Sequence, residues 1–78
     1  MGLFFNMIVG KIAYECKIPE SEVSEALSVG DKAMSDVDVV SLEQAKRSYA
    51  VSCNWRKKKV AIWQIYQCYK LKYGKVHD

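Results

Sequence analysis

Between Ser41 and Gly74 the chain has neither glycine nor proline. That interval constrains the fold most, because the two strongest breakers of regular structure are missing from it. Its start carries a capping box, Ser41-x-x-Gln44, with Val40 and Ala45 placed for the hydrophobic staple. Leu42, Ala45 and Tyr49 then give an apolar stripe at helical spacing. At the far end, Lys70 and Lys72 suit a helix C-terminus, and Gly74 suits the cap beyond it. Segment 41–73 is therefore expected to be one long helix or a broken one. An unbroken helix over 42–73 would run about 48 Å, whereas a compact domain of this size is about 30 Å across. A break at Ser52-Cys53-Asn54, with Asn54 capping a second helix, keeps the domain compact and is the favoured reading. It has a cost: Arg56 and Lys57 fall in a first turn, where the helix dipole disfavours cations.

Val60 to Tyr73 is also rich in strand formers, but it is too long for one strand and no turn signal divides it. On a helical wheel Trp55, Ile62, Ile65, Tyr66, Tyr69 and Tyr73 share a face, with Val60 and Leu71 opposite. Such a helix is expected to be contacted on two sides. A chain of 78 residues has few elements to supply both contacts, which points to self-association or a bound partner.

The first segment, 1–17, is apolar nearly all round, which places a helix at the centre of a core. Gly10 is expected to permit close approach by another helix. Ile18 before Pro19 is pushed out of helical geometry. A short helix over 19–29 follows, with Glu20 and Glu22 favouring its first turn, Val23, Ala26 and Leu27 as its stripe, and Gly30 as its stop. Residues 30–40 read as a connector, with Ser35-x-x-Asp38 as a local cap, and 74–78 as a tail. The expected fold is a single all-α domain, a small bundle of three to four helices with a long or bent C-terminal helix.

Several chemistries find no support in the residues. Cys16, Cys53 and Cys68 form no disulfide framework and no C-x-x-C pair, and the one histidine, His77, stands in the tail. No zinc set is present, and Asp36 with Asp38 lacks the glycine and the closing glutamate of a calcium loop. Reduced, buried cysteines point to a cytoplasmic protein. The N-terminal apolar run has no basic residue before Lys11 and is about half of a membrane span. Asn6 stands where a myristoylation motif has Ser or Thr. Leu3-Phe4-Phe5 lacks the basic polar face of a membrane-surface helix. Without a base beside any cysteine, an enzyme is not expected, nor a cofactor, a metal or a small-molecule substrate.

Charge is informative through its asymmetry. Residues 1–40 carry net −4 and residues 41–78 carry net +7. Trp55-Arg56-Lys57-Lys58-Lys59, preceded by Lys46-Arg47, is the sharpest feature. It can steer the chain towards an acidic protein surface, pair with the acidic half, or neutralise phosphates. The stretch Glu43 to Val60 compares with a helix-turn-helix only superficially. With Val51 just after the turn, core-facing positions fall on Lys46, Arg56 and Lys59, and Ala50 replaces the turn glycine. The expectation is a non-enzymatic binding protein: a small regulatory, adaptor or inhibitor-like module acting through protein contacts, plausibly as a homodimer. Trp55, Arg56, Lys57, Lys58, Lys59, Tyr66, Tyr69 and Tyr73 are its expected partner-binding residues. The alternative is nucleic-acid binding through Lys46, Arg47, Arg56, Lys57, Lys58 and Lys59.

Overall fold

The end of each helix is set by local chemistry that fixes the path of the chain. The computed structural model describes residues 3–28 and 37–73, the first three of these by backbone alone. Within them run α1 (Leu3–Cys16), α2 (Glu20–Leu27), α3 (Leu42–Val51) and α4 (Trp55–Tyr73), and the described residues contain no strand. The fold is an all-α bundle with a long C-terminal helix. The features expected at Gly30, Ser35, Gly74 and His77, and the side chains of Leu3, Phe4 and Phe5, lie outside the described residues.

α1 ends at Lys17, whose φ of 57° is left-handed. The amide of Ile18 then donates to the carbonyl of Ala13 at 3.2 Å. That six-to-one bond is the Schellman closure, built here without the usual glycine. Pro19 follows at the N-cap position of α2, with Glu20 and Glu22 in the first turn. The hydroxyl of Ser41 accepts from the amide of Gln44 at 3.2 Å, and this cap starts α3.

The interval without glycine or proline breaks between α3 and α4, and side chains make the break. Ser52 turns extended and its hydroxyl donates to the carbonyl of Ser48 at 2.6 Å, satisfying an acceptor that the helix end leaves open. Two residues on, Asn54 Oδ1 accepts from the amide of Lys57 at 2.9 Å and caps α4. The molecule measures 37 × 23 × 23 Å. An unbroken helix of about 48 Å would project beyond it.

The core corrects the expected roles of the helices. α4 packs against α1, α2 and α3, and is the central element. These helices cover one side of α4; on the other, Leu71 is 66% exposed and Val60 half-buried, so the described residues leave the second expected contact unfilled. α1 is peripheral. Ile8, Val9 and Ile12 point inward, while Met7 is 45% and Tyr14 85% exposed on the opposite side. Gly10 faces open space, since a Cβ placed on it meets nothing within 4 Å, so close helix approach is not its role. Val23, Ala26 and Leu27 of α2, Ala45 of α3 and Ile62, Trp63 and Ile65 of α4 complete the interior. No helix in the described residues is long and apolar enough to cross a membrane.

Candidate functional site

Where α3 turns into α4, the two helices leave an open groove of about 470 Å³ on the outside of the molecule. Its walls come from helical spacing. Ser48 and Ser52 descend from α3, while Arg56, Val60 and Gln64 stand one turn apart along α4. Val51 and Ala61 complete the apolar floor, and Lys57 sits beside Arg56 at one end. Val51, the last residue of α3, is 74% exposed. A second depression on the α3 side shares Ser48 and Val51 and brings in Ser41, Glu43, Gln44 and Arg47. The two meet at Ser48 and Val51; their apolar residues are Val51, Val60 and Ala61, their cations Arg47, Arg56 and Lys57, and their one carboxylate Glu43.

The basic cluster does not share a single face. Successive helical residues are rotated by about 100°, so four in a row spread around the axis. Arg56 and Lys57 enter the groove. Lys58 turns the other way, with its ammonium 5.5 Å from the ring centroid of Tyr49. Lys59 and Lys46 are half-buried and line neither depression. Trp55 is partly buried against the core. The helix-turn-helix objection also changes. The turn spans 52–54 and Val51 precedes it, so Arg56 is exposed in the first turn of α4 and is not a core position.

The expected tyrosine anchors belong to the interior. Tyr66 is 8% and Tyr69 3% exposed, and Tyr73 is partly buried against the core. In this conformation Tyr66 and Tyr69 cannot anchor a partner. Trp63 meets Tyr66 edge-on at 5.3 Å, and Tyr73 lies 6.0 Å from Tyr69 with Lys11 above its ring at 5.1 Å.

The acidic half meets the basic half through phenols. Tyr49 Oη donates to Glu22 Oε1 at 2.6 Å, and Tyr69 Oη donates to Glu15 Oε1 at 2.5 Å. Burial, then the Glu22 carboxylate, pushes the Tyr49 phenol up to about 12. Burial and the Glu15 bond raise Tyr69 as well. Two carboxylates of the acidic half are thus bonded to tyrosines. Among the described residues, Arg47, Arg56, Lys57 and Lys59 have no carboxylate within ion-pair distance.

The remaining polar chemistry is structural. Burial raises the thiols of Cys16 and Cys68, which holds them away from the reactive thiolate. Cys68 Sγ donates to the carbonyl of Val40 at 3.1 Å, and Gln64 Nε2 to that of Asp38 at 3.3 Å, so α4 fastens the segment leading into α3. All three cysteines are free. Among the described residues no three His, Cys, Asp or Glu side chains are grouped to hold a metal ion.

The cationic end of the groove was legible in the sequence, but its floor was not. Ser48, Val51, Ser52, Val60 and Gln64 reach it only because the chain turns at 52–54. The available signal was spacing: Arg47 and Val51 stand at i, i+4, as do Arg56, Val60 and Gln64 in series. No protein-family model matches the chain, and no curated protein or solved structure matches it either.

Proposed function

We propose that this chain is a non-enzymatic binding protein of the regulatory, adaptor or inhibitor-like kind, and that the α3–α4 surface docks an acidic protein partner. One observation carries the reading: Arg56 and Lys57 border an open groove with Val51 and Val60 on its walls and form no ion pair among the described residues, while Arg47 nearby has Glu43 one helical turn before it but no ion pair either. Unpaired cations around an apolar centre have the anatomy of a protein interface, with a desolvated middle and a charged rim that speeds encounter. Their position adds weight. Arg56 and Lys57 stand in the first turn of α4, where each cation opposes the helix dipole.

A second reading, direct nucleic-acid binding, draws on the three-residue turn that presents the exposed first turn of α4. Counting against it, the cations of 46–59 are split between different directions, and the nearby aromatics Trp55 and Tyr49 are occupied by the fold. Stacking on bases needs free rings, and phosphate binding gains from many cations on one face.

Cross-linked capture at physiological salt tests the choice. The expected result is a partner retained by the native chain after nuclease treatment and lost with Arg56→Gln/Lys57→Gln. Capture that vanishes with nuclease returns the function to nucleic acid. Capture indifferent to the double substitution removes the α3–α4 surface from the function.

A further inference from the structure

We infer that the occupant of the α3–α4 groove is an amphipathic helix of the partner, with one apolar stripe and carboxylates on one flank of it. The inference rests on the docking surface proposed above and specifies what that surface takes. Three features of the groove define the occupant.

The first is shape. The groove is open to solvent and bounded by two helices that meet at a tight turn. An open trough does not enclose a small molecule, but it can seat a rod. Helices recognise such troughs by placing anchors at i, i+3 or i+4, and i+7.

The second is the floor. Val51, Val60 and Ala61 form an apolar strip between polar walls. Val51 also borders the second depression, whose other lining residues, Ser41, Glu43, Gln44, Arg47 and Ser48, are polar, so the apolar strip ends at Val51. An extended peptide would need exposed backbone donors and acceptors to bind. The groove offers it no strand edge, since both walls are helices whose backbones are internally bonded. A helix brings its own backbone bonds and asks only for apolar contact.

The third is charge. Arg56 and Lys57 give a cationic excess at one end, which suits carboxylates on that flank of the stripe, while at the other Arg47 shares its depression with Glu43. Ser48, Ser52 and Gln64 line the walls between them. The hydroxyl of Ser52 is already given to Ser48, and the Gln64 amide to Asp38. The Ser52 and Gln64 oxygens can still accept, so the walls offer a few polar contacts, and specificity rests on these with the spacing of apolar anchors and the sign of the flanks.

A displayed library of random peptides about five helical turns long, selected on the intact chain, tests this occupant. Expected survivors carry apolar residues at i, i+3 or i+4, and i+7, with Asp or Glu beside them, and become helical when bound, as read by circular dichroism. The best survivor should bind about tenfold more weakly to Arg56→Gln/Lys57→Gln and several-fold more weakly to Val51→Ser. Val51 and both cations are exposed, so these variants keep the fold, which thermal melting verifies. Acidic survivors without apolar periodicity, equally strong on Val51→Ser, would overturn the helical occupant and leave acidic docking standing. Neutral or basic survivors, or none, would overturn both readings. Displacement of the peptide by a mixed-sequence DNA duplex at physiological salt gives the groove to phosphates. Dimers in sedimentation that dissociate on Arg56→Gln/Lys57→Gln give it to a second copy. Either result overturns the inference.

Discussion

The indole nitrogen of Trp63 donates to the carbonyl of Ala26 at 2.7 Å, deep between α4 and α2. That carbonyl belongs to the last turn of α2, where helical partners run out. One side chain thus fills the core and closes the end of a neighbouring helix. α2 is short and its N-cap residue, Pro19, contributes no side-chain cap. It depends on this bond more than a longer helix would.

Trp63→Phe keeps an aromatic ring and removes the donor. It should lower stability by about 2–3 kcal/mol, combining an unsatisfied buried carbonyl with lost volume. Urea titration followed by circular dichroism measures it. A loss under about 0.5 kcal/mol would mean that the carbonyl of Ala26 finds another donor.

Alkaline pH should loosen the molecule through two tyrosines. Folding raises the phenols of Tyr49, to about 12, and of Tyr69, mainly by burial and then by the carboxylates of Glu22 and Glu15. A group whose pKa is higher in the folded state holds its proton better there. Its contribution is complete below the free phenol range, near pH 10, and is lost as pH climbs towards 12 and beyond. Stability should therefore be flat in this respect up to about pH 10 and then fall. Tyr49→Phe should cost about 1 kcal/mol at pH 8 and flatten part of that fall. The comparison is between urea midpoints of native and variant chains at pH 8 and 11. Parallel curves for the two would remove the Tyr49 to Glu22 bond from the account.

Two positions in and after α1 are open to improvement. Nothing crowds a Cβ at Gly10, so Gly10→Ala should stabilise by about 0.5–1 kcal/mol through backbone entropy. Lys17 holds a left-handed φ of 57° that glycine adopts without cost, so Lys17→Gly should also stabilise, by up to about 1 kcal/mol. Thermal melting separates the outcomes. A lowered midpoint for Gly10→Ala would show that the space beside it is occupied in solution. A lowered midpoint for Lys17→Gly would show that the lysine side chain contributes more than its backbone costs.

Much of this fold was legible because helix ends are local. Ser41, Ser52 and Asn54 each act on amides or carbonyls three or four residues away, which a sequence displays directly. The centre of the bundle was not legible. α1 has the more apolar sequence, yet α4 contributes more of the buried residues. Its lysines stand at its ends and edges, and its tyrosines tolerate burial because distant acceptors complete them. Glu15 lies 54 residues from Tyr69, and Ala26 lies 37 from Trp63. Periodicity assigns a face to a helix; it does not say which of two apolar helices the others pack against. For the same reason a stripe of tyrosines looked like an interface. The groove was half visible, because cations announce themselves in sequence and a floor shared by two helices does not.

Stability and binding should part company at the start of α4. Arg56 and Lys57 occupy its first turn, where the exposed amides carry positive potential. Acidic residues there reverse an unfavourable term of about 0.3–1 kcal/mol per position. Arg56→Glu/Lys57→Glu should therefore raise the melting temperature by several degrees. Added salt should shrink the gain, since both side chains are exposed. The same variant should lose the acidic partner altogether, because the groove then repels carboxylate flanks. A variant that is both less stable and still competent to bind would show that the two cations hold the fold together, and the case for a docking surface at the α3–α4 turn would fall with it.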